Sequence, residues 1–152
     1  MDYKCELIER AGVATAFVRT RSSIQDLPNL VPGIYTQIAQ YIGGLGEQPA
    51  GPPYVAYYNM DMQDLDIEIG FPVSDSVSGK EDIQTGEIAG GTFAACLHIG
   101  PYSEIAPAYE ALSGWVKGEG HKTTGVAYEI YLNDPAGISP EKLQTQILYP
   151  LE

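Results

Sequence analysis

Basic residues are scarce in this sequence. Eight lysines and arginines stand against twenty aspartates and glutamates, giving a formal net charge of −12 and a pI near 4.4. Such a surface repels phosphate backbones and anionic lipid headgroups, so direct binding to nucleic acid or to a membrane surface is not expected. It keeps the protein soluble and raises the local concentration of cationic ligands. Cysteine is almost absent. Cys5 and Cys96 lie far apart in the chain and imply no disulfide framework, so both are read as reduced. The only histidines, His98 and His121, have no partner at metal-ligand spacing, which leaves no basis for a zinc site or a histidine-dependent triad. No metal and no cofactor are expected. Long apolar runs are also missing: none approaches the ~18 residues of a membrane span. The opening Met1-Asp2-Tyr3-Lys4-Cys5 lacks a basic stretch followed by an apolar one, so the expected location is the cytoplasm.

What remains is the composition of a globular protein. With 152 residues, 44% of them hydrophobic, the chain can build the core of one compact domain spanning residues 1–152. Residues Tyr3 to Ile8 and Val13 to Val18 read as one opening strand, bent or interrupted at Gly12, with a polar loop from Arg19 to Asn29. Val31, Ile34, Tyr35, Ile38, Tyr41 and Ile42 then share one face of an amphipathic helix starting near Pro32. Gly43-Gly44-Leu45-Gly46 ends it; this cluster follows a helix instead of joining a strand to one, so it is a stop and not a phosphate loop. Strands follow from Tyr54 to Asn59 and from Leu65 to Val73. The acidic residues Asp61, Asp64, Asp66 and Glu68 do not have calcium-loop spacing and read as an exposed acidic loop.

The same order then begins again. Thr92 to Ile99 is a strand, Gly100-Pro101 a turn, and Ile105, Ala108, Tyr109, Leu112, Trp115 and Val116 repeat the helical face at an offset of 74 residues. Ser103 suits a helix cap better than a nucleophile, and Ser113 has no nucleophile-elbow context. At the same offset Tyr35, Gly44, Gly46, Gly51, Tyr54, Tyr57 and Asn59 meet identical residues. The match resumes at an offset of 78, where Ile69-Gly70-Phe71-Pro72-Val73 aligns with Ile147-Leu148-Tyr149-Pro150-Leu151. The chain therefore reads as two copies of strand, helix, strand, strand, at about 3–73 and 87–151. The expected fold is α+β: duplicated βαββ units forming a mainly antiparallel sheet with two helices on one face and a cleft at a pseudo-twofold axis.

The repeat isolates one residue. Glu129 stands in the middle of an otherwise apolar strand, where the first copy has Val55. A carboxylate at a place that accepts valine is disfavoured by burial unless it is paired or serves a ligand. Alternation puts Glu129 on one strand face with Ala127, Tyr131 and Asn133, and the matching face of the first copy carries Val55, Tyr57 and Asn59. Tyrosines around one carboxylate suit a lipophilic cation, which ring faces stabilise by ~0.5–2 kcal/mol each. The candidate ligand-binding residues are Glu129, Tyr131, Tyr57, Val55, Trp115, Tyr109 and Tyr35. The last three lie on helix faces, where a core role competes.

The run Tyr128-Glu129-Ile130-Tyr131-Leu132-Asn133-Asp134-Pro135, the closing Leu143 to Leu151 and the turn Gly100-Pro101-Tyr102 resemble the GyrI-like small-molecule-binding family. That family also supplies the effector-binding domain of AraC-type and MerR-type transcription regulators. The resemblance extends over essentially the whole chain and implies a duplicated βαββ fold. It also implies that Glu129 contacts cationic aromatic drugs. No helix-turn-helix precedes residue 1, so a stand-alone member is expected, partnered by a small molecule and by gyrase or a separate DNA-binding regulator. Three functions stay open. The first is a module that binds amphipathic cationic aromatic drugs or toxins with Glu129 as countercharge. The second is a hydrolase of strained, cyclopropane-bearing electrophiles with Glu129 as the catalytic acid or base. The third is an acidic gyrase inhibitor.

Overall fold

The computed structural model describes residues 3–74, 77–133 and 137–152; Asp134 and Pro135 of the motif that follows Glu129 lie outside them. In chain order the elements are β1 (Cys5–Arg10), β2 (Val13–Ser22), α1 (Leu27–Gly44), β3 (Tyr54–Tyr57), β4 (Leu65–Pro72), β5 (Gln84–Ile88), β6 (Gly91–Ile99), α2 (Ala106–Gly118), β7 (Ala127–Tyr131) and β8 (Gln144–Pro150). They divide into two compact units. The first, Ala11–Gly90, holds four antiparallel strands in the order β5-β2-β4-β3 with α1 on one face. The second, Met1–Arg10 with Gly91–Glu152, holds β1-β6-β8-β7, also antiparallel, with α2 on one face. The class is α+β, and strand, helix, strand, strand recurs as β2-α1-β3-β4 and β6-α2-β7-β8.

Each copy gains a flanking strand from an unexpected place. Residues 3–8 and 13–18 are not one interrupted strand: β1 pairs with β6, whereas β2 pairs with β4 and β5. The chain leaves one unit and enters the other at Ala11-Gly12, where a Cβ on Gly12 would come within 2.3 Å of Glu87 Oε1. β5, the counterpart of β1, has no sequence expectation behind it. Its Gln-Thr-Gly-Glu-Ile sequence is exposed except at Ile88, as suits a polar edge strand.

The expected loop from Arg19 is also strand as far as Ser22. Its polar residues serve cross-strand ion pairs: Arg19 pairs with Asp66 of β4 at 2.7 Å and Arg21 with Asp64, just before β4, at 2.9 Å. α1 starts at Leu27, with Pro28 in its first turn and Pro32 inside it. Pro28 forfeits little, because the first N–H groups have no helical partner, whereas Pro32 lies past the Leu30 N–H that already bonds Asp26 and gives up one helical bond. Ile34, Ile38 and Ile42 form its buried stripe, each contributing about 1.5–3 kcal/mol on burial. In α2 the corresponding stripe is Ala108, Leu112 and Val116, packed on Ala94, Cys96 and Ile147. Ser103 does not cap it; the cap position is Ile105, with no side-chain bond.

The ladders explain one difference between the copies. Phe17 faces Gly70 across β2 and β4, while the equivalent pair across β6 and β8 is Ala95 facing Leu148. Large and small have exchanged strands, so each pair keeps a similar volume.

Candidate functional site

β7 places Glu129 beside α2. In the ladder Glu129 faces Ile147, which faces Cys96 in turn, and both are core residues under α2. Cross-strand partners share a sheet face, so the Glu129 carboxylate also points to the helix side. It is 8% exposed. Two tyrosine hydroxyls donate to it: Tyr109, one turn into α2, bonds Oε2, and Tyr131, two residues along β7, bonds Oε1 at 2.8 Å. A buried carboxylate with both oxygens accepting hydrogen bonds can retain charge that bare burial would extinguish.

Further aromatic rings stand around this carboxylate. Tyr102, in the turn after β6, meets Tyr131 edge-on at 5.4 Å, and Tyr149 lies 6.2 Å from the Tyr109 ring. Burial raises the Tyr149 hydroxyl above its ordinary value, its hydrogen bond with Ser113 opposes part of that rise, and the nearby Glu129 adds to it. Trp115 packs against the same core as Tyr109 and Tyr149. Thr145, in register with Tyr131, is fully buried, and its hydroxyl has no hydrogen-bond partner among the described residues. His98 pins the turn that carries Tyr102: its Nε2 lies 3.0 Å from the Pro101 carbonyl and its Nδ1 3.1 Å from the Tyr3 hydroxyl. A carbonyl can only accept, so Nε2 carries the hydrogen and Nδ1 accepts from Tyr3.

Of the seven residues picked from sequence, the second unit thus gathers Glu129, Tyr109 and Tyr131, with Trp115 on the adjoining core. Val55, Tyr57 and Tyr35 belong to the first unit. Val55 is buried in β3, Tyr57 is half-buried at its end, and Tyr35 donates to the Tyr54 carbonyl at 2.7 Å while meeting Phe71 edge-on.

Sequence reasoning missed a second buried carboxylate. Glu68, expected in an exposed acidic loop, lies within β4 and is 7% exposed. Tyr54 donates to one of its oxygens at 2.5 Å and Tyr58 to the other at 2.8 Å. Arg19, opposite Glu68 in the ladder, lies 3.8 Å over the Tyr58 ring and donates two hydrogen bonds to Asp66, also expected in that loop. Burial and the Glu68 charge drive the Tyr54 hydroxyl pKa far upward. Strict alternation in Leu65-Asp66-Ile67-Glu68-Ile69 was the available signal, because it makes these acids strand residues. Glu68 shares its sheet face with Tyr54, Ala56 and Tyr58, opposite to Ile67 and Ile69. It is therefore not the repeat image of Glu129, whose counterpart Val55 faces the other way. An open groove of about 590 Å³ in the first unit, lined in part by Thr15, Val73, Thr85 and Glu87, includes none of the residues picked from sequence.

The model of the GyrI-like small molecule binding domain matches residues 4–152. The chain belongs to the GyrI-like family. Its fold is that of the EcmrR C-terminal domain, with a TM-score of 0.89 at 22% identity over 100% of this chain and 99% of that one. The chain spans 57% of the EcmrR chain in a DNA complex, at a TM-score of 0.87 and 22% identity over 99% of this chain. It is also similar to SAV2435 bound to tetraphenylphosphonium, with a TM-score of 0.66 at 11% identity, covering 100% of this chain and 94% of that chain. No curated protein matches the sequence. As a GyrI-like domain the chain is a small-molecule-binding unit. Among the described residues no helix is long and apolar enough to cross a membrane.

Proposed function

We propose that this GyrI-like domain binds lipophilic aromatic cations, with Glu129 as countercharge and the rings of Tyr109, Tyr131, Tyr102 and Trp115 as walls. One observation carries the reading: a buried carboxylate sits under α2, bonded by two tyrosine hydroxyls. Hydroxyl donors favour the charged form of a carboxylate they bond, and the rings supply faces that favour a cation by ~0.5–2 kcal/mol each. A cation without N–H donors needs no more than charge and ring faces, and SAV2435, a relative in fold, is known bound to such a cation. The net charge of −12 supports the same ligand sign.

Equilibrium dialysis against tetraphenylphosphonium and its neutral relative triphenylphosphine oxide tests this, with the recovered ligand identified by mass spectrometry. One equivalent of unchanged cation should be retained, at an affinity at least about tenfold above that for the neutral compound. Equal affinity for the two, or no retention of the cation, would sink the proposal. A second reading keeps the same residues. Glu129 between two phenolic hydroxyls has the groups of a general acid or base, and the chain is similar in fold to a hydrolase from Listeria innocua, with a TM-score of 0.72 at 18% identity over 98% of this chain and 92% of that chain. Product from a cyclopropane-bearing electrophile in many-fold excess over the protein, lost in Glu129→Gln, would decide for it.

A further inference from the structure

The two cysteines, remote in sequence, are neighbours in the ladder. Cys5 on β1 faces Cys96 on β6 in register. Directly opposed residues of an antiparallel pair have Cα atoms about 4.5 or 5.5 Å apart, and both separations lie within the roughly 4.4–6.8 Å that a disulfide spans. Both side chains belong to the face under α2, with Cys96 in the core and Cys5 packed against it. Both are reduced here. An apolar residue serves at the equivalent place in the first unit, where Val18 occupies the position of Cys96. Core packing alone therefore does not call for the cysteine.

We propose that Cys5 and Cys96 form an oxidisable dithiol that closes into a cross-strand disulfide and alters the ligand site through α2. The proposal rests on the assignment of Glu129 to that site. One ladder row runs Cys5, Cys96, Ile147, Glu129 across all four strands of the unit. The Cys96 thiol bonds the carbonyl of Ala108, the residue before Tyr109, at 3.7 Å, and Tyr109 donates to Glu129. Disulfide formation removes that S–H and draws Cys96 toward β1. The start of α2 loses a tether beside the hydroxyl that holds the carboxylate.

Hydrogen peroxide supplies the oxidising equivalents. Cys5, the more exposed thiol, attacks one peroxide oxygen as its thiolate; the O–O bond breaks, hydroxide leaves and takes up the proton shed by Cys5, and a sulfenic acid remains on Cys5. Cys96 then attacks the Cys5 sulfur, its proton joins the departing hydroxide as water, and the S–S bond forms. Two thiols and one peroxide become one disulfide and two waters. Burial raises both thiols, that of Cys96 to about 12, so exposure and not acidity makes Cys5 the first to meet peroxide, and both steps should quicken as pH rises.

The test treats the full chain with hydrogen peroxide, with Cys5→Ser treated in parallel to account for oxidation of the exposed Met60 and Met62. Peptide mapping should find a Cys5–Cys96 linkage that dithiothreitol reverses. Without any ligand, the emission of Trp115 on α2 should change on oxidation of the wild type and not of Cys5→Ser. Tetraphenylphosphonium affinity should fall at least about fivefold in the oxidised protein and recover on reduction. Sulfinic or sulfonic products on separate cysteines, with no linkage, overturn the dithiol. A linkage that leaves Trp115 emission unchanged overturns the coupling. If the reduced protein fails to bind the cation, the ligand assignment fails, and peptide mapping and ligand-free emission still decide whether the disulfide forms and moves α2.

Discussion

The Tyr109 hydroxyl on α2 donates its hydrogen to Glu129 on β7, so the helix is tied to the strand through the carboxylate proposed above to face the ligand. Removing that donor in Tyr109→Phe should cost about 1.5–3 kcal/mol in urea unfolding, the range for hydrogen bonds to charged groups. Tyr131 shares a strand with Glu129, so its bond to the carboxylate closes within β7. Tyr131→Phe should therefore cost less than Tyr109→Phe; the reverse order would show that α2 is held by packing alone.

Glu68 should behave as a structural carboxylate. Glu68→Leu deprives the buried Tyr54 hydroxyl of its acceptor, at a cost of about 1–3 kcal/mol. Glu68→Gln retains an acceptor oxygen and should be milder. Thermal unfolding of the two variants checks the order, and equal midpoints would contradict it.

Gly70 has no room for a side chain. A Cβ there would lie 2.5 Å from the Ala16 carbonyl oxygen and 2.8 Å from Phe17 Cβ. Gly70→Ala should lose about 1–3 kcal/mol through overpacking. Because Phe17 supplies the volume that Leu148 supplies in the other unit, Phe17→Ala combined with Gly70→Leu should be less destabilising than the sum of its single changes. Chemical denaturation of the four proteins gives the coupling, and additivity would contradict the exchange of volumes.

Acid should weaken the first unit through its arginine ladder. Hydrogen bonds from Arg19 hold the Asp66 carboxyl below its ordinary 3.8, and those from Arg21 do the same for Asp64. A carboxyl with a lowered folded pKa binds its proton more tightly in the unfolded chain. Its contribution is therefore complete above about pH 5 and fades as pH falls through 3.8 toward the lowered value. Both acids are partly solvated, so the loss is modest. The unfolding midpoint of Asp66→Asn should vary less between pH 5 and pH 3, each taken as approximate bounds, than that of the wild type; parallel curves would contradict this.

The duplication was legible in the sequence because helix faces and paired aromatic residues kept constant offsets. Glu129 was legible because Val55 served as its control. What escaped were features that depend on pairing partners. β1 and β2 looked like one strand because each is apolar enough for a core, and nothing local tells which partner a strand pairs with. Arg19, Asp66 and Glu68 looked like loop residues because charge in a strand makes sense only once its cross-strand partner is known. Cys5 and Cys96 looked unrelated for the same reason: register, not sequence distance, makes them neighbours.

The central claim is that Glu129 supplies countercharge, and the most direct measurement compares Glu129→Gln with the wild type by calorimetric titration. Tetraphenylphosphonium and triphenylphosphine oxide serve as ligands. The variant should lose at least about tenfold in affinity for the cation and change by less than about twofold for the neutral compound. Equal losses for both ligands would contradict the account and make Glu129 a support for the tyrosines alone.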